Sequence, residues 1–173
     1  MVALWTFLTD NLLWIIGGLV VLGLLQVGVL RYMAPRALAP ANVGVGVLAP
    51  CPPTPNAACS QSPASDMIHY IAPLRYTSSR ADAHADLMSA IATLPDYEII
   101  TERNAEYIHV LTHSRFIRAI DDNEFVFAAG EPIIHMRAAA RLGLGDGGMN
   151  LRRLRILTTH FNALQAARAQ GGQ

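Results

Sequence analysis

Two runs concentrate the side chains that could do chemistry. The first, Asp121-Asp122-Asn123-Glu124, is acidic and offers only oxygen ligands, which suit a hard cation. It lacks the glycine and the spaced acids of a calcium loop, so the expected arrangement is a turn whose carboxylates meet arginines elsewhere. The second run extends from Arg137 through Arg141, Gly143, Asp146 and Asn150 to Arg152 and Arg153. On a strand, Arg137 and Arg141 project on one face. Arg152 and Arg153 fall in the first turn of a final helix, where the helix dipole disfavours cations. An anion must therefore compensate them. Asp146, or the acidic run with Asp121 and Asp122, would build an internal Arg–carboxylate network. An external phosphate or lipid head group would serve as the alternative.

The remaining reactive residues are sparse. Cys51 and Cys59 are the only cysteines, separated by a stretch that includes three prolines. Two thiols cannot build a structural zinc site alone. They are either a disulfide in an oxidising compartment or free thiols in a reducing one, and the sequence leaves both open. His109 and His113 would lie on one strand face about 13 Å apart, too far to share an ion. The other four histidines fall on different elements. No Ser/His/Asp, Cys/His or phosphate-loop pattern occurs, so no catalytic residue, metal or cofactor is expected, and the chain reads as a non-enzyme.

The elements that must position these residues follow from periodicity. Ile68–Tyr76 reads as extended. Ser79-Arg80-Ala81-Asp82 fits a capping box, followed by Leu87, Met88, Ile91 and Leu94 at helical spacing and then Pro95. Tyr97–Thr101 and Tyr107–His113 read as strands around an Asn104 turn. Phe125–Ala128 and Ile133–Ala139 are two more, around Gly130. After the Gly147-Gly148 turn, Asn150 would cap a helix with the stripe Leu151, Leu154, Leu157, Phe161 and Leu164. This order predicts an α+β domain, an antiparallel sheet covered on one face by two helices.

Ahead of it lies a different kind of chain. Leu12–Leu30 has no charged residue and Gln26 as its one polar side chain. Nineteen such residues rise about 28 Å as a helix, close to the ~30 Å hydrocarbon core. That excess explains why a 173-residue chain is 52% hydrophobic with a mean hydropathy of +0.29. The expected organisation is a transmembrane anchor over 1–33, a Pro-rich extended linker or wrapping arm over 34–66, and the globular domain over 67–173. A basic n-region is absent from Met1–Asn11, which favours retention of the helix over cleavage. Arg31 and Arg36 follow the helix, and the positive-inside rule then places the domain in the cytoplasm, with the periplasm as alternative. Formal net charge is zero, so bulk electrostatics select no nucleic-acid partner.

Taken together, the two chemical runs and the cysteine segment resemble the bacterial and plastid proteins grouped as the DUF 1499 family. The likeness is carried by Cys51, Pro52, Pro55, Asn56, Tyr107, His109, Phe116, Asp121, Asp122, Arg137, Arg141, Gly143, Asp146, Gly148, Asn150 and Arg153. Three positions depart from the pattern: Ala57 replaces the second cysteine, a cysteine standing at 59 instead, and Ala138 and Ala140 replace two serines. The resemblance implies a fold and no established activity. Because such proteins occur in photosynthetic lineages, it points to a bacterial inner or photosynthetic membrane. There the chain would be a single-pass accessory or scaffold subunit of a photosynthetic or respiratory complex, its partners being membrane subunits and the bilayer. The competing expectation is a tethered domain that binds a small anion or lipid head group through Arg137, Arg141, Arg152 and Arg153.

Overall fold

The computed structural model describes residues 9–33, 46–103, 106–113, 119–141 and 145–171. The chain divides into two compact units, 1–35 and 36–173. In the first, helix α1 spans Leu12–Met33. Its stretch Leu12–Val29 is long and apolar enough to cross a membrane, and nothing in the structure buries it. Membrane anchors and signal sequences share that length and composition.

The second unit is α+β, as the periodicity predicts. Its elements run β1 (Ala57–Cys59), β2 (Leu74–Arg75), α2 (Arg80–Ile91), β3 (Tyr97–Arg103), β4 (Tyr107–His113), β5 (Ile120–Phe127), β6 (Ile133–Ala140) and α3 (Met149–Gly171). The sheet is antiparallel in the order β1-β6-β5-β4-β3, and β2 pairs with β6 beside β1. Strand pairing sends alternate residues to opposite faces. One face presents Ile108, Val110, Phe125, Phe127, Ile134, Met136 and Ala138 to Leu87 and Ile91 of α2 and to Leu154, Leu157 and Phe161 of α3. Burying this set supplies the main hydrophobic drive. On the other face, Leu48 packs against Tyr107 and Val126 in a second, smaller cluster.

Local chemistry accounts for the helix ends. Ser79 is the N-cap of α2, its Oγ accepting from the Asp82 N–H at 3.1 Å. At α3 the cap is not Asn150, which lies inside the helix and is buried. Asp146 takes that part: its carboxylate accepts from the N–H groups of Gly148 at 2.8 Å and Asn150 at 2.7 Å. A carboxylate at this end also complements the helix dipole. Gly147 and Gly148 both adopt positive φ, which brings the chain round sharply enough for Asp146 to reach back.

Two further expectations change. Asp121-Asp122-Asn123-Glu124 forms no turn; it lies within β5, a strand paired on both sides. Within the segment expected as linker, residues 46–66 join the domain. Ala57, Ala58 and Cys59 are buried as β1 against β6, their small side chains allowing close approach. Gly46 passes so near the sheet that a Cβ there would stand 2.8 Å from Ala128 Cα. The stretch expected to be extended from Ile68 forms a turn first, with strand pairing beginning at Leu74. The Asn104 turn, Phe116 and Gly143 lie outside the described residues.

Candidate functional site: a buried ion-pair row on strand β5

The alternation of β5 divides its acids between the two faces of the sheet. Asp122 and Glu124 point to the face without helices; Asp121 and Asn123 point to the face that α3 covers. All four are at least 95% buried. Three carboxylates would not ionise in such a place unpaired, and three arginines from the second run answer them.

Arg141, at the end of β6, grips Asp122 with a fork: Nε donates to Oδ2 and Nη2 to Oδ1, each at 2.7 Å. His109 on β4 shares the same carboxylate, its Nε2 lying 2.8 Å from Oδ1. Burial works to raise the Asp122 pKa, but the hydrogen bonds from Arg141 and His109 outweigh it and hold the group below its ordinary value. The same bond raises the pKa of Arg141. Arg137 lies opposite Glu124 in the strand register and donates to its Oε2. The Tyr107 hydroxyl donates to Glu124 Oε1 at 2.7 Å. Burial first, and the neighbouring Glu124 charge second, push the Tyr107 phenol far above its normal range, so it remains a donor.

On the covered face, Arg153 reaches from α3 to Asp121, with Nη2 to Oδ2 at 2.8 Å. Burial raises the Asp121 pKa and the pairing with Arg153 lowers it; the balance is upward. Asn150 links this pair to β1: its Oδ1 accepts from Arg153, and its Nδ2 donates to the Asn56 carbonyl at 2.9 Å. Of the residues singled out in the sequence, the structure thus brings together Asp121, Asp122, Arg137, Arg141, Asn150 and Arg153. Asp146 caps α3. Arg152 points outward, exposed, with no ion pair among the described residues.

Cys51 and Cys59 are joined as a disulfide, one of the two states their spacing leaves open. The bridge fastens the arm to β1 beside the ion pairs. Arg137 Nε also donates to the Pro50 carbonyl, and Gln61 holds the arm by accepting from Leu48 N–H at 2.9 Å and donating to the Gly46 carbonyl at 2.8 Å. A groove of about 630 Å³ runs along the arm, lined in part by Cys51, Cys59, Gln61, Asp66 and Arg137.

Chemically, His109 oriented by Asp122 has the geometry of a general base held by a carboxylate. No Ser, Thr or Cys side chain among the described residues is hydrogen-bonded to it. Ser60 Oγ lies 3.2 Å from His135 Nδ1, yet that hydroxyl already accepts from Met136 N–H at 2.8 Å, and no carboxylate among the described residues is hydrogen-bonded to the ring. Burial lowers the His135 pKa, in keeping with a neutral ring that accepts from Ser60. No three His, Cys, Asp or Glu side chains among the described residues converge as a metal site.

Sequence reasoning missed Tyr107 and His109 as members of the row. The signal was their two-residue spacing once β4 and β5 are adjacent. It also missed a second cluster, where Asp86 of α2 accepts from Gln165 Nε2 at 2.7 Å and from Arg168 Nε at 2.8 Å.

No curated protein matches the chain, and no solved structure matches it either. A family model described as a protein of unknown function, DUF1499, matches residues 47–161, from the arm beside the disulfide to the buried Phe161 of α3. That match takes in β1 to β6, the disulfide and every ion pair of the row, and the chain belongs to the DUF1499 family.

Proposed function

We propose that the chain is a single-pass membrane subunit without catalytic activity, whose domain serves as a rigid docking module for a larger membrane complex of photosynthetic or respiratory type. The observation that carries this reading is the internal use of the motif's charge. Arg137, Arg141 and Arg153 each face a buried carboxylate, so the row shapes and locks the sheet and offers no uncompensated charge to an anion. Of the four arginines considered for an external phosphate, Arg152 alone remains exposed, and a single solvated cation makes a poor site.

The disulfide bears on the side of the membrane. Bridges persist where the compartment is oxidising, which supports the periplasmic or equivalent side, the alternative to the cytoplasmic placement expected from Arg31 and Arg36. Two arginines give a small bias the other way. The test is purification of the full chain from its native membrane in mild detergent, followed by mass spectrometry. Stoichiometric membrane subunits are expected; a solitary chain carrying a bound lipid or anion would overturn the docking role. A cytoplasm-only fluorescent reporter fused after Gln173 should stay dark, and a bright one would reverse the orientation.

A further inference from the structure

Between Arg36 and Arg75 the only Asp, Glu, Lys or Arg is Asp66. In a chain with 15% charged residues this is a long neutral stretch. Its exposed tip is the turn that runs from Pro63 to Ile68. Met67 is 89% exposed and Ile68 60% exposed, with Pro63 and Ala64 also at the surface.

The turn is held firmly in this form. Asp66 Oδ1 accepts from the N–H groups of Ile68 at 3.2 Å and His69 at 3.1 Å, and Oδ2 meets His69 Nδ1 at 2.8 Å. His69 Nε2 lies 3.1 Å from the Thr54 carbonyl, inside the loop closed by the disulfide. The His69 carbonyl accepts from Cys59 N–H at 2.8 Å. The one acid in the stretch is thus occupied by three hydrogen bonds, its side chain still 30% exposed at the edge of the turn. Two large apolar side chains are displayed outward on a braced turn, where a water-facing turn would carry polar residues. Pre-organised display lowers the entropy cost of seating them elsewhere.

We propose that this turn is a second membrane contact, seating Met67 and Ile68 in the interfacial layer of the bilayer that α1 enters. The inference rests on α1 being a retained anchor. A tethered tip meets the surface of its own membrane at high effective concentration, and Met67 and Ile68 can enter the headgroup–acyl boundary while the hydrogen-bonded Asp66 carboxylate stays at headgroup level.

The test uses the full chain reconstituted in phosphatidylcholine vesicles, with Trp5→Phe and Trp14→Phe removing the native indoles. Met67→Trp then reports the tip, and Thr159→Trp, on the exposed face of α3, reports a water-facing position. Tryptophan at 67 should emit to the blue of that at 159. It should lose at least half its intensity when the lipid chains are brominated, and iodide should leave it unquenched. Water-like emission, iodide quenching, or shielding from iodide without bromine quenching would each overturn the contact. Flotation of the vesicles after alkaline carbonate reports α1 separately. A chain that floats with its tip in water loses the tip contact alone; a chain that does not float loses the anchor and the tip contact with it.

Discussion

The domain contains two clusters in which arginine meets aspartate, and solvent separates their consequences. On β5, Asp122 and Arg141 have side chains only 6% and 8% exposed, in a fork closed by His109. Between α2 and α3, Arg168 joins Asp82 and Asp86, but its side chain is 42% exposed and that of Asp82 47%. The bonds look alike in length: 2.7 Å in the fork, and 2.8–3.0 Å from Arg168 to its two aspartates. Water decides what breaking each one costs. A guanidinium removed from the helical cluster leaves Asp82 open to water, and the buried Asp86 keeps the Gln165 amide as a donor. One removed from β5 strands an ionised acid inside the sheet.

The largest effect should therefore come from Arg141→Ala. It leaves Asp122 buried beside His109 without its fork and should lower unfolding stability by about 3–5 kcal/mol. Denaturant melts of the full chain in detergent, followed by near-UV dichroism, would measure it. Adding Asp122→Asn should recover part of the loss, because the stranded charge goes with it. A loss below about 1 kcal/mol would mean that the row is as hydrated as the helical pair. Arg168→Ala should cost clearly less than Arg141→Ala by the same measurement, because water reaches Arg168 and Asp82 and the Gln165 amide still donates to Asp86. A loss equal to that of Arg141→Ala would erase the contrast.

The smallest effect sharpens the comparison within β5 itself. Asp122 has a folded pKa below its ordinary 3.8, so its contribution is present above that value and is lost as pH falls through the folded pKa. Asp121 is shifted the other way, so its ionisation weakens the fold as pH rises from 3.8 through its raised value. The two together give a local stability maximum near the ordinary carboxylate pKa. Stability curves across pH should lose the decline on the alkaline side in Asp121→Asn and the decline on the acid side in Asp122→Asn. Parallel curves for the two variants would refute the opposite shifts.

How far the sequence revealed all this depends on the range of each signal. Helix α2 was legible because its Ser79 cap, apolar spacing and Pro95 are local. Helix α1 was legible because a bilayer-length apolar run has few other uses. The stripe of α3 was legible in Leu154, Leu157 and Phe161, but Asn150 and Gln165 extend it as buried polar residues bonded to the sheet side and to α2. Apolar periodicity has no term for that. The acidic run reads as a turn because four polar residues in succession are a poor strand by propensity. Tertiary pairing overrides propensity there, through arginines that follow it in sequence. Strand β1 was hidden for a related reason. It is three residues long, flanked by prolines, and becomes a strand only because β6 lies beside it.

That last pairing governs the order in which the protein can be made. Ala57–Cys59 align with Arg137–Ala139, so the first strand synthesised finds its neighbour only when the sixth has emerged. Helix α1 precedes both and, as an anchor, would reach the bilayer while the domain is still an open chain. Pairings this distant along the chain close slowly, and an open chain exposes apolar surface and strand edges meanwhile. The arm from residue 46 through β1 is the part of the domain that waits longest for its partners. The period before β6 is complete is when this protein is most exposed to aggregation and to proteolysis.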